Sequence, residues 1–383
     1  MEPLFFVVSI IAHRLLTRRA SWHSKLAARY IPKVEQARWA IADVASEQRF
    51  TRVLDHFREC GYVVISGVLD DEEVESAMFK LWDYLETASR VTSSSSSSSS
   101  SLSRDSPSTW TRDSTPWPAT VEGGILPYFS SGQSSAAWYI RSNEKIINIF
   151  RRFWGVDRVL TSFDGILVWR KSVKTETGWF HIDQNPTRKH SFSTLQGLVN
   201  LVPSSKTSGG NVLIETSHKD FPQHYENNPL YSPRLAELNG EDWLEIVSDD
   251  PILKRYKKER KIVQLELGKG DVLLWDSRTV HCSNSSTSKL KEGEVDRIER
   301  AAVLVSMIPE GRVSEECRKE RRAAVDAGRT GSHWVDKVAV LGAEREEEAA
   351  LERERHEGMK REGENLGVIL SFSEMTEQMR ELI

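Results

Sequence analysis

"GKGDVLLWDSRTVHCSNSS", residues 268–286, opens on a Gly-Asp turn, runs through the apolar stretch Val272–Trp275 and delivers His281 just past the strand end. A short apolar run bounded by turn residues has the signature of a buried strand. The same texture recurs after Gly155, in "VLTSFDGILVWR", "GWFHID", "STLQGLVNLVP", "GGNVLIET", "KIVQLELGKGDVLLWD" and "RAAVLVSMIP". Six such runs separated by turns predict a β-sandwich or barrel, because alternating βαβ units would place a helical stretch between successive strands.

Other textures surround this series. Residues 34–90 read as helix, short strand and helix: "FTRVLDHFRECGY" and "DEEVESAMFKLWDYLE" carry apolar residues at helical spacing, and "GYVVISG" between them reads as a strand closed by Gly67, with Asp70 or Asp71 capping the second helix. A serine tract then fills much of 91–120, a stretch too polar to bury a core and expected to be a flexible insertion. The core is expected over 121–310, beginning with an amphipathic helix that aligns Ile146, Ile147, Phe150 and Phe153. The piece at 217–261 interrupts the strands and is expected to lie over the barrel as a lid or rim. From 311 to 383 the chain is charged and helix-prone, and a solvated helical extension is the expectation.

The chain has 383 residues and a net charge of -4. No basic footprint for nucleic acid is present. Three widely spaced cysteines form neither a disulfide framework nor a zinc knuckle, which fits an intracellular, most simply cytoplasmic, protein. Segment 1–33 is apolar and then basic, and acid-free from Arg14 to Lys33, the composition of an organelle-import or weakly membrane-associating segment; its apolar run from Pro3 to Ala12 is about half a bilayer span, and no stable membrane span is expected.

The chemistry lies in "TGWFHIDQNP", residues 177–186. On a strand, residues i and i+2 share a face, so His181 and Asp183 project together while Ile182 packs on the other side. His281 supplies a third donor. Two imidazoles and one carboxylate form the facial set that suits non-haem Fe(II) and leaves positions open for a co-substrate and dioxygen, whereas structural zinc takes four ligands, usually with cysteine. Beyond His281, "DRIERAAVLVSM" begins another strand with Arg300 at its mouth. A dicarboxylate co-substrate would need a bidentate guanidinium at its far end; Arg300 fits, with Arg297 as rival.

Taken together these motifs resemble the phytanoyl-CoA dioxygenase family of Fe(II)/2-oxoglutarate oxygenases, over roughly Phe57 to Pro309. The resemblance rests on "FRECGYVVISGVLDDEEV", "HIDQNP", "GGNVLIETSHKDF" with Thr216 where glycine is usual, and "GDVLLWDSRTVHCSNSS". It implies a double-stranded β-helix (jelly-roll, cupin-like) core, mainly β with flanking α-helices. It also implies His181, Asp183 and His281 as iron ligands, Arg300 as anchor of 2-oxoglutarate, and Ser283 and Gln196 as co-substrate contacts. The loop between His281 and Arg300 is longer than is usual in the family, which keeps Arg297 in contention. The implied activity is hydroxylation of a C–H bond in a small organic substrate, consuming dioxygen and releasing succinate and carbon dioxide. Two alternatives accompany it: a cupin-like metal-dependent isomerase or hydrolase, and a non-catalytic binding member of the same fold. Of the other histidines, His218 is expected in a structural hydrogen bond, His190 and His224 carry no supporting neighbours, and "TGSHWVD" around His333 and Trp334 is read as packing.

Overall fold

The computed structural model describes residues 37–93, 101–110, 117, 124–173, 175–238, 241–338 and 346–383; segment 1–33 and most of the serine tract lie outside them. In chain order the strands are β1 (Arg38–Ala40), β2 (Tyr62–Ser66), β3 (Ile125–Leu126), β4 (Val159–Thr161), β5 (Ile166–Arg170), β6 (His181–Ile182) and β7 (Leu195–Asn200). They continue with β8 (Gly210–Ile214), β9 (Leu244–Glu245), β10 (Ile262–Gln264), β11 (Val272–Asp276), β12 (His281–Asn284) and β13 (Ile298–Pro309). One sheet runs β1-β2-β11-β7-β13-β5-β3, with β4 also on β13, and the second runs β10-β8-β12-β6-β9. Apart from the parallel β1–β2 pair, these pairings are antiparallel.

Alternation along each strand sorts the apolar residues into three layers. Ala301, Val303, Val305 and Met307 of β13 point outward from the large sheet and pack with Val63, Ile65, Val199, Val272 and Leu274 against helices. Those helices are α1 (Glu47–Cys60), α2 (Asp71–Ser93), α3 (Ser135–Arg141) and α4 (Glu144–Trp154). The opposite parity, Leu167, Trp169, Leu198, Leu273, Trp275 and Ala302, meets Leu213 and Val263 of the small sheet in the space between the sheets. On the far side of the small sheet, Ile182, Val212, Ile214 and Cys282 pack with Tyr225, Tyr231, Leu244, Leu253 and Tyr256 of the insertion. This is a double-stranded β-helix core with flanking helices.

Helix α2 starts at a capping box: the Glu73 N–H donates to Asp70 Oδ1 at 2.9 Å, and the Asp70 N–H donates to Glu73 Oε2 at 2.9 Å. Asp70, not Asp71, is therefore the cap. On α4 the buried face is Ile146, Ile147, Ile149 and Phe150, with Phe153 half-buried at its edge.

Two regions depart from the reading of the sequence. The described residues of 217–261 pack largely on the outer face of the small sheet, and Trp243 lies 5.7 Å from the His181 ring. This stretch carries helix α5 (Pro251–Lys258) and lends β9 to the sheet. The C-terminal region is not a free solvated extension: α6 (Glu315–Asp326) and α7 (Glu346–Gly363) are charged, yet Met359, Val368, Ile369, Met375, Leu382 and Ile383 belong to the same core as the large sheet. Buried Arg321 ties it down, donating to the carbonyls of Val335 at 3.0 Å, Ile383 at 2.8 Å and Thr161 at 2.5 Å. Charge density hid these anchors, because a few apolar residues per turn suffice when the partner surface already exists.

Thr216 holds φ 65°, and its N–H donates to the Cys60 carbonyl at 3.0 Å. A β-branched residue is strained there, where glycine would sit without cost. Thr216→Gly should therefore stabilise the protein by about 1 kcal/mol, read as a higher urea midpoint at unchanged m-value; a lower midpoint would contradict this account.

Candidate metal centre

Strand β6 is two residues long, and its register fixes the centre. His181 pairs directly with His281 of β12 on one side and with Glu245 of β9 on the other. His281 is thus the first residue of its own strand, not a residue beyond the end of β11, and it faces the barrel interior with its neighbour two along, Ser283. Both histidines are oriented alike. His181 Nδ1 lies 3.0 Å from the Trp179 carbonyl and His281 Nδ1 lies 2.9 Å from the Thr279 carbonyl, two residues back in each case. A carbonyl can only accept, so each Nδ1 carries the proton and each Nε2 keeps its lone pair for a ligand.

Those lone pairs converge on one carboxylate. His281 Nε2 stands 3.2 Å from Asp183 Oδ2, and His181 Nε2 stands 3.5 Å from Asp183 Oδ1. The ligand atoms of the three lie within 4.8 Å of one another, as adjacent ligands of one ion with bonds of about 2.1 Å must. Gln196 on β7 donates from Nε2 to Asp183 Oδ2 at 2.8 Å, fixing the carboxylate from behind. Trp179 stacks on His181 at 4.5 Å with the rings 3° from parallel, and Trp243 and Trp275 flank the two histidines.

Electrostatics prepare the donors. Burial, reinforced by His281, pushes the His181 imidazole down to about 3, so it stays neutral at physiological pH. Burial works to raise the Asp183 carboxyl, but the fields of His333, His181 and His281 outweigh it and hold the group well below the ordinary carboxylate range. Both are therefore deprotonated, as metal ligands must be.

The two arginines separate sharply. Arg297 is more than half exposed and pairs with Glu294 at 3.1 Å and Glu299 at 3.3 Å. Arg300 is fully buried between the sheets: one nitrogen donates to Asn211 Oδ1, while Nε and Nη1 have no partner among the described residues. Its guanidinium lies 5.2 Å from the Trp169 ring, and burial pushes it down to about 10, still charged near neutrality. Gly210 makes the space, since a Cβ there would fall 2.6 Å from Arg300 Nη1. Ser283 Oγ and Gln196 Oε1 are likewise buried without a partner among the described residues. The donor set suits Fe(II), and the unanswered guanidinium and hydroxyl suit an elongated dicarboxylate beside it.

Other histidines take structural places. His218 bonds the Arg58 carbonyl at 3.0 Å, and His224 bonds Asp250 at 2.7 Å, which also accepts from Tyr231. His190 is exposed. Gly210 and Asn211, which shape the arginine's niche, were not singled out from the sequence; the Gly-Gly-Asn run before an apolar strand was the available signal.

Among known proteins, the sequence model of the family described as Phytanoyl-CoA dioxygenase (PhyH) matches residues 57–291. A curated relative, Ava biosynthesis cluster protein O of Aspergillus versicolor, is 25% identical over 306 residues, covering 77% of this chain and 91% of its own. The structure of GlcNAc Inducible Gene 2, GIG2 (DUF1479), from Candida albicans superposes with a TM-score of 0.52 at 12% identity, over 96% of this chain and 86% of that one, and shares the fold. EctD from S. alaskensis, solved with 2-oxoglutarate and 5-hydroxyectoine, gives a TM-score of 0.41 at 16% identity over 73% of this chain and 81% of its own.

Two outcomes follow for the centre. Gln196→Leu should weaken divalent-metal affinity about 10- to 100-fold by freeing Asp183, and competition against a metal-binding dye measures this; unchanged affinity would refute the positioning role. In metal-free protein, unfolded His181 takes up a proton below the ordinary 6.5 that the folded ring refuses until about 3. Stability should fall as pH drops through that window, and His181→Gln should flatten the fall in urea titrations run at each pH.

Proposed function

The chain belongs to the phytanoyl-CoA dioxygenase family of iron- and 2-oxoglutarate-dependent enzymes, and we propose that it hydroxylates a C–H bond of a small organic substrate at the His181–Asp183–His281 centre. The carrying observation is the convergence of two Nε2 lone pairs and one carboxylate on a single point inside the barrel. When bound there, iron and 2-oxoglutarate together supply the oxidising power of dioxygen, with succinate and carbon dioxide released.

Residues of this chain then have distinct tasks. His181, Asp183 and His281 would hold the ion through two imidazole nitrogens and one carboxylate. Arg300 and Ser283 take the far carboxylate of 2-oxoglutarate; Nε, Nη1 and Oγ, buried and without a partner among the described residues, supply the donors. Gln196 keeps Asp183 in place, its own unpartnered Oε1 facing the same interior. Asp183 bears on the outcome as well: a carboxylate that stays as a ligand leaves no coordination place for a halide, which favours oxygen insertion over halogenation. Trp179 and Trp275 wall the histidines off from solvent, and Trp243, itself partly exposed, stands at the opening.

The test is succinate release from iron-loaded protein across a substrate panel. His181→Ala should abolish it. Arg300→Ala should raise the KM for 2-oxoglutarate about 100-fold or more, the loss expected for a buried charged hydrogen-bonding partner. Arg297→Ala should leave the KM unchanged. Conversion of a panel substrate without 2-oxoglutarate and without succinate release, retained in full by Arg300→Ala, would instead favour a metal-dependent isomerase or hydrolase that uses the three ligands without the co-substrate.

A further inference from the structure

The insertion forms a groove of about 790 Å³ along β9, the outermost strand of the small sheet. Its walls are the turn at Leu230, the short helix Ser232–Glu237 and the stretch from Trp243 to Asp249. That volume lies within the roughly 300–1,000 Å³ of clefts that hold small molecules. Leu230 and Trp243 line it and stand 40% and 41% exposed, so the groove offers large apolar side chains to solvent. Pro233, Leu238 and Val247 extend the same surface.

Two observations join this groove to the metal centre. The Trp243 ring, which lines the groove, lies 5.7 Å from the His181 ring. Register supplies the second: Ile182 pairs with Leu244 and both pack on the outer face of the small sheet, so the neighbouring pair, His181 and Glu245, shares the inner face. Glu245 therefore stands beside His181 on the metal-bearing side, and it accepts from Arg234 Nη1 at 2.6 Å. That ion pair engages Arg234, the basic residue of the lining. Glu237 and Asp249, the remaining charged lining residues, are exposed carboxylates with no ion-pair partner among the described residues.

We propose that this groove holds the body of the substrate, and that the substrate is an organic cation, an amine or guanidine on an apolar, ring-bearing skeleton. The skeleton lies on Trp243, Leu230, Pro233 and Val247, the cationic group faces Glu237 and Asp249, and the far end of the molecule passes Trp243 to reach the metal. The Trp243 indole suits either part, since its face attracts apolar rings and cations alike. An anionic substrate would meet Glu237, Glu245 and Asp249 as like charges, with Arg234 alone in the lining to offset them. The inference rests on the proposed metal-centre reading and adds a substrate class and its binding surface to it.

Protein loaded with Mn(II) in place of Fe(II), with 2-oxoglutarate bound, offers a readout that does not depend on turnover: titration of a probe whose protons relax faster near the ion. The probes are 2-naphthylmethylamine, a cation at neutral pH, its neutral counterpart 2-naphthalenemethanol, and the anion 2-naphthoate. The amine should bind about fivefold tighter than the alcohol, the scale expected of two solvent-facing carboxylates, with its ring protons relaxed by the ion, and naphthoate should bind more weakly than either. Glu237→Gln combined with Asp249→Asn should bring amine and alcohol to parity without weakening the alcohol, and Trp243→Ala should weaken both alike. Calorimetric titration with 2-oxoglutarate on the same samples separates the two levels of the reading. Where 2-oxoglutarate binds, any of four results overturns the groove and its cation: amine and alcohol at parity in the intact protein, a preference that survives the double substitution, affinities unmoved by Trp243→Ala, or a bound amine that the ion does not relax. Binding of no probe overturns it equally. Where the intact protein does not bind 2-oxoglutarate, the metal-centre reading falls and takes this inference with it.

Discussion

A guanidinium removed from water and left with two nitrogens unanswered is expensive to keep, and the interior of this protein is arranged around one. Arg300 is fully buried, and its single acceptor among the described residues is the Asn211 amide oxygen. Continuum reasoning puts the penalty for an uncompensated buried charge at several kcal/mol. Nothing in the packing of the two sheets requires a charge there; an aliphatic residue among Leu167, Leu213 and Ala302 would fill that layer. Under the proposed function, the cation is half of an interaction whose other half arrives with the co-substrate. Gly210 and the Trp169 ring make the same statement in steric terms, one by giving up a side chain and the other by offering a π face.

The histidines follow a second economy, of orientation. Each spends its Nδ1 proton on the carbonyl two residues earlier, so backbone geometry alone fixes both tautomers. The direct pairing of the two positions across β6 and β12 then sets the distance between the rings. Only Asp183 needs a side chain to hold it, and Gln196 on the facing sheet does so. The centre is thus held from both sheets at once, and the interior of the barrel is its frame.

Much of this was legible in the sequence, for a definite reason. Period-two alternation exposes the strands, and the same alternation brings His181 and Asp183 together and sends Ile182 the other way. Each of the six apolar runs contains at least one strand of the two sheets. Short-range chemistry was less visible. His281 was read as lying past a strand, because Asp276–Thr279 contains the turn and strand β12 is polar apart from its cysteine. The sequence allowed Arg297 and Arg300 alike, since both precede an apolar run; only burial distinguishes them, and burial depends on the bulge near Ile298 and Arg300 where β13 meets β5. The C-terminal region was misread for the opposite reason. Its few apolar residues are dispersed among charges, and their partner is a surface made by α2, α3 and the large sheet, far away in the chain.

Strand β12 carries His281, Cys282 and Ser283 in succession, and Cys282 lies on the outer face of the small sheet among aromatic and aliphatic residues, its thiol pushed up by burial. A slip of one residue in this strand would turn the cysteine inward and the two polar residues outward. The barrel would then offer a soft sulfur donor in place of a borderline nitrogen, and the preference would move toward thiophilic metals such as zinc or copper(I). Metal selectivity at the proposed centre would accordingly depend on strand pairing as much as on ligand identity. The apolar contacts that secure Cys282 against Ile182 and Val212 would safeguard the proposed chemistry from behind, without touching an ion.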